Sequence, residues 1–202
     1  MRASRRAAVP MAALALALAG TAARAEAPLW TVVPAQSSVT FVGTQQGEKF
    51  TGVFGAFTAR IRFAPAELAS SRLESTLQMG SVTTMSEERD DTLVTSQWFD
   101  SVQFPTATFR TVAVRAAAAG APGAAGAAGF TADADLTIKD RTKRIVFPFG
   151  WQARPDGAVL DARVTIDRLD FGVGAGEWAD ESIVGRKVEV IVHLLLTPAA
   201  GR

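Results

Sequence analysis

The stretch Phe130-Thr131-Ala132-Asp133-Ala134-Asp135-Leu136-Thr137-Ile138 alternates apolar and polar side chains without a break. A short polar turn, Lys139 to Thr142, follows it, and Ile145, Phe147, Phe149 and Trp151 then continue at every second position. Side chains on a strand alternate between faces, so a period of two marks a strand with one buried and one wet face. Two such runs joined by a short polar turn read as an antiparallel hairpin.

The same pattern recurs outward from this hairpin. Phe57, Ala59, Ile61 and Phe63 alternate with Thr58, Arg60 and Arg62; Leu73, Ser75, Leu77 and Met79 alternate with Arg72, Glu74, Thr76 and Gln78. Ala158, Leu160, Ala162, Val164 and Ile166 form another run, and Val188, Val190, Val192, Leu194 and Leu196 close the chain. Segments near Trp30–Val42 and Thr106–Arg115 complete a set of about eight. Faces of this kind belong to antiparallel sheets, since parallel sheets are buried on both sides. The fold class is all-β, a sandwich or a barrel.

Two segments break the period. Thr84 to Leu93 predicts a short helix, with Thr84 or Ser86 as its cap, Glu87 and Glu88 in its first turn, and Met85, Arg89 and Leu93 on one face. Arg89 on that face needs a partner, and Asp90 or Asp100 is the expected one. Residues 116–129 contain only Ala, Gly and Pro and predict a flexible loop inside a hairpin.

The 202 residues carry 21 Lys+Arg and 20 Asp+Glu, one His and no Cys. This balance gives no electrostatic case for nucleic acid. Cysteine-based sites are excluded, and one His leaves little for a zinc site. No cofactor and no metal are expected. The N-terminus has Arg2, Arg5 and Arg6, then a nearly all-apolar run to Gly20, then Ala23-Arg24-Ala25. This predicts an export signal cleaved after Ala25 and a periplasmic product. Removing 25 of 202 residues leaves a single domain of 177, residues 26–202; Arg2, Arg5, Arg6 and Arg24 go too, so 21 basic and 20 acidic become 17 and 20, net −3.

Candidate chemistry is sparse. His193 lies on the last strand, on the face opposite Val192 and Leu194. Catalysis there would need a nucleophile and a carboxylate beside it. Asp133 and Asp135 share a face, as any wet strand face allows. Gly172, Gly174 and Gly176 precede no helical period, so they predict a sharp bend between strands rather than a dinucleotide site.

The residues Trp30, Ser38 and Phe41, then Gly52, Phe54 and Phe57, then Thr84, Arg89-Asp90 and Leu93 occur in a characteristic order. Trp98-Phe99-Asp100, Pro105 with Phe109, Leu136-Thr137-Ile138 with Thr142-Lys143, and Asp170-Phe171-Gly172 complete it. From Trp30 to Leu196 the chain resembles the YceI family of exported lipid-binding proteins. The resemblance implies an eight-stranded, lipocalin-like antiparallel barrel with one or two short helices. It implies a long apolar pocket for a polyisoprenoid, quinone-like or fatty-amide chain. Some members accompany membrane b-type cytochromes. Where many members carry a His, this chain reads Thr44-Gln45-Gln46.

An eight-stranded barrel either fills with side chains or holds one slender ligand. Periodicity alone allows both. With the resemblance, the expected wall is Phe41, Phe57, Ile61, Phe63, Leu77, Phe109, Ala134, Leu136, Phe147, Phe149, Leu160 and Val164, with Trp98 and Trp178 at the mouth. The alternatives are a filled barrel that contacts a membrane b-type cytochrome and a lipid hydrolase using His193.

Overall fold

The computed structural model describes residues 26–118 and 128–199. The expected export signal, residues 1–25, and residues 119–127 of the Ala/Gly loop lie outside the described residues. The strand segments are β1 (Leu29–Val32), β2 (Ser38–Gln45), β3 (Glu48–Phe54), β4 (Phe57–Arg62), β5 (Arg72–Gln78) and β6 (Val82–Thr83). They continue as β7 (Thr106–Ala116), β8 (Ala128–Ile138), β9 (Arg141–Arg154), β10 (Gly157–Asp167) and β11 (Lys187–Pro198).

These segments make eight barrel staves because three staves are broken in the middle. β1 and β2 both pair with β11 and are separated by the 3-10 turn Pro34–Gln36. Pro34 has no N–H for a ladder, so the stave kinks there. β3 pairs with β2 and β4 with β1, the break falling at Gly55-Ala56. β5 pairs with β4 and β6 with β3, across the 3-10 turn Met79–Ser81. The remaining pairs run β5–β7–β8–β9–β10–β11, and every pairing is antiparallel. Each stave pairs with the next and the last with the first, so the sheet closes on itself and only the two-residue β6 keeps an unpaired side among the described residues.

The alternation read from the sequence holds, with shifts at the ends. The β8–β9 turn is only Lys139-Asp140, and β9 begins at Arg141 rather than after Thr142. Lys139 takes φ +55°, as a two-residue hairpin requires. The outward pairs Thr137–Thr142 (2.8 Å between hydroxyls) and Asp135–Arg144 (2.7 Å) continue the ladder through the polar residues.

The helix α1 (Glu87–Leu93) starts later than the sequence suggests. Met85 stands before it at φ +61° and is 94% exposed, so it shares no face with Arg89 and Leu93. Asp90 causes this: it reaches back to accept from Thr84 N (2.7 Å), Thr84 Oγ1 (2.6 Å) and Thr83 Oγ1 (2.8 Å). Those bonds fix the chain before the helix in a tight clasp. Ser86, the N-cap, makes no side-chain cap bond.

The core has two levels. At the β1/β4 end, Phe63, Phe130, Phe149 and Trp151 pack with Leu160 and Leu196. At the α1 end, Phe41, Phe54, Leu93, Trp98, Phe99, Phe171 and Val184 form a second cluster.

Candidate functional site

A cavity of about 170 Å3 lies between the two clusters and draws its walls from both. Phe41, Phe54, Phe57, Ile61, Leu77, Phe109, Leu136, Phe147, Leu160 and Val164 line it, and the surface they offer is almost wholly carbon. Water needs two to four polar partners to occupy such a space, and an apolar void of roughly 150 Å3 stays dry yet admits a benzene-sized molecule. The choice between a filled and a hollow barrel therefore resolves by level: packed at the β1/β4 end, open between there and the α1 end.

Ten of the fourteen expected wall and mouth residues are on this cavity, Trp98 among them. Four are not. Phe63 is fully buried in the end plug, its ring 4.6 Å from that of Trp151 and 4.9 Å from that of Phe130. Phe149 stacks on Phe130 in the same plug. Both face inward as expected, but one level beyond the void. Ala134 is fully buried with Thr111 and Ile145 as its ladder partners, and its methyl does not reach the space. Trp178 lies outside Trp98, with ring centroids 5.7 Å apart, and its Nε1–H donates to Gln97 Oε1 at 3.0 Å.

Of the wall residues outside the expected set, three bear most on the site. Phe50 and Phe54 belong to β3, whose alternation is blurred by Gly52. The third is Arg168, which is 3% exposed and lines the cavity beneath Trp98. Its Nε donates to Gly185 O (3.0 Å), and its terminal nitrogens donate to Val173 O (2.9 Å), Val184 O (2.8 Å), Gly174 O and Trp178 O. All five donors are thus consumed by backbone carbonyls. Burial pulls the guanidinium below its ordinary value, while Asp167 opposes that pull. The glycine run makes this cradle. Gly172, Gly174 and Gly176 all take φ near +66°, the bend expected of them. A Cβ on Gly174 would meet an Arg168 terminal nitrogen at 2.4 Å and Trp98 at 2.9 Å.

Arg89 stands on the α1 side of this end. Its guanidinium carbon lies 4.3 Å from the Phe50 ring centroid, and Nε donates to Gln45 Oε1 at 3.2 Å. The expected carboxylate partners do not hold it: Asp90 is committed to Thr83 and Thr84. Arg89 instead ties α1 to the β2–β3 hairpin.

His193 is on the outer surface of the barrel. Its Nδ1 is 2.6 Å from Asp161 Oδ1, and Ser38 stands beside it in the β11–β2 register. No hydroxyl among the described residues hydrogen-bonds to His193, and the sheet separates it from the cavity. Asp133 and Asp135 are each engaged by an arginine, Arg115 and Arg144. Among the described residues no three His, Asp or Glu converge on a metal-sized site.

Comparison with known proteins agrees with this architecture. The YceI-like domain model matches residues 30–196. Burkholderia cenocepacia BcnA is similar at 30% identity and a TM-score of 0.73, over 82% of this chain and 99% of that one. A polyisoprenoid binding domain from Saccharophagus degradans, implicated in plant cell wall breakdown, aligns at 15% identity and a TM-score of 0.65, over 86% and 100%. The Campylobacter jejuni YceI protein aligns at 20% identity and a TM-score of 0.62, over 74% and 85%. At those lower identities the likeness is one of fold. None of the curated proteins matches the chain. With the family model spanning most of its length, the chain belongs to the YceI-like domain family.

Proposed function

We propose that this protein is a passive carrier or store that holds a long apolar lipid chain, isoprenoid or fatty, inside the barrel. The almost wholly carbon wall of the cavity carries this reading; its volume of about 170 Å3 takes a short stretch of chain, and a longer one requires the wall side chains to part. Each buried methylene contributes about 0.8 kcal/mol, so a chain alone supplies useful affinity without a charged contact. The Saccharophagus degradans polyisoprenoid binding domain supports the same class of ligand. The outward His193, remote from the cavity, favours binding over hydrolysis. We further place the protein in the periplasm, exported on residues 1–25 and released after Ala25.

Organic extraction of the purified protein followed by mass spectrometry tests the reading. A long-chain species near one per protein is expected. Ala59 lies on the wall beside Phe57 and Ile61, and Ala59→Trp puts an indole into the void. That variant should stay folded and lose most of its lipid. Empty extracts from the unaltered protein, together with no uptake of added isoprenoid or fatty chains, would overturn the proposal.

A further inference from the structure

Among the described residues, Trp98 Nε1 is the one buried side-chain polar atom without a hydrogen-bond partner. Trp98 is 7% exposed and forms part of the cavity wall. Buried indole N–H groups normally find an acceptor, and a donor left without one weakens the folded state. Trp30 and Trp178 follow that rule, donating to Phe63 O at 2.9 Å and to Gln97 Oε1 at 3.0 Å.

The surroundings narrow what the acceptor is. Cη2 and Cζ3 of Trp98 are the edge nearest Gly174, which turns the Nε1 edge of the indole away from that turn. Arg168 lies 5.4 Å from the Trp98 ring centroid, so the neighbourhood is electropositive. Yet Arg168 has no N–H to offer, because five backbone carbonyls occupy its donors. An anionic group would be desolvated here with a single donor and no ion partner able to bond it, which is costly. A neutral carbonyl oxygen needs only one donor and gains from the nearby cation.

We propose that the Trp98 Nε1–H is the donor that recognises the ligand's polar end, by hydrogen-bonding a neutral carbonyl oxygen on the chain held in the barrel. The site deepens the carrier reading and rests on it. It makes Trp98 a specificity-determining residue: the hydrocarbon part of the ligand is selected by the walls, its polar end by one indole.

The test pairs two probes on delipidated protein, methyl pentadecyl ketone and heptadecane, each measured by displacement of a fluorescent apolar dye. Trp98→Phe keeps an aromatic ring on the wall and removes the N–H. The ratio of ketone to alkane affinity should fall about tenfold in W98F, the order expected when a buried donor loses its acceptor. In the unaltered protein, the Trp98 indole N–H resonance should move downfield with the ketone and stay in place with the alkane. This second measurement stands even if W98F misfolds. Both probes binding with an unchanged ratio and an unmoved resonance would overturn the Trp98 assignment alone. Failure of both probes to bind would overturn the carrier reading, and this assignment with it.

Discussion

The ring of Phe41 fills the space over Gly52: a Cβ at that glycine would stand 2.2 Å from Phe41 Cζ. The two face each other across the β2–β3 ladder, and the neighbouring pair Gly43–Phe50 repeats the arrangement with the roles exchanged. Phe41 cannot simply swing aside, because Phe50 and Phe54 hold it at centroid distances of 6.1 and 5.6 Å. Glycine here lets an aromatic wall lie flat against the sheet. Gly52→Ala should therefore lower stability by about 1–3 kcal/mol, the usual cost of overpacking. In a Phe41→Ala background the same change should cost far less. Urea denaturation of the two single variants and the double variant measures the coupling, and simple additivity would refute the contact.

Arg168 holds the loop between β10 and β11 from inside. Five carbonyls from Val173, Gly174, Trp178, Val184 and Gly185 converge on one guanidinium. Arg168→Met keeps the aliphatic stem but strands these acceptors in the interior. Each buried acceptor left unpaired is costly, so a loss of about 3 kcal/mol or more is expected. Trp98 and Trp178 sit on this cradle, so their fluorescence should red-shift as the loop loosens. Arg168→Lys should rescue little, since an ammonium offers only three donors. An Arg168→Met variant as stable as the unaltered protein would refute the cradle.

What could be read from the sequence was the facing of side chains, because a period of two is a local property of the strand. Phe130, Ala132, Phe147 and Leu160 all point inward as their spacing demands. How far along the barrel axis each one sits is not local. It depends on strand stagger, which is why Phe149 reads like Phe147 and yet falls in the plug. β3 was missed for a related reason: Gly52 at an inward position offers no apolar side chain to count, although its place is taken by Phe41 from the next strand. Arg168 was illegible because an arginine is ordinarily a surface residue, and the carbonyls that make it a buried one come from a loop with no regular pattern.

Arg89 gives a prediction about exchange rather than about overall stability. It is the link between α1 and the β2–β3 hairpin through the Phe50 ring and Gln45. A cation over an aromatic face is worth about 0.5–1 kcal/mol at a partly exposed site. Arg89→Ala should leave the barrel intact. Amide exchange in α1 and in the hairpin should speed up about two- to fivefold, the factor that energy implies. Protection of β8–β10 should not change. Loss of protection spread evenly over the barrel would mean that Arg89 acts on global stability and not on this one junction.

The Asp90 clasp makes part of the stability depend on acid. Burial raises the Asp90 carboxyl, but the hydrogen bonds from the Thr84 and Thr83 side chains and the Thr84 backbone outweigh it and hold the group below the ordinary carboxylate value. Arg89 adds a smaller pull in the same direction. A carboxyl whose folded-state value is depressed stabilises the fold above its unfolded value, about 3.9 for Asp. That contribution shrinks as the pH falls from the unfolded value through the lower, folded one, because the unfolded chain takes up the proton more readily and acid therefore favours unfolding. Asp90→Ala removes the dependence. At pH 7 the variant should be less stable by about 1–2 kcal/mol, the worth of hydrogen bonds to a charged acceptor. Once the pH has fallen below the folded-state value the two proteins should converge, since the clasp is then protonated in both folded and unfolded chains. Urea titrations of both proteins across this range supply the measurement. A gap that stays constant or widens in acid would show that the clasp stabilises the fold by its shape and not by the charge on Asp90.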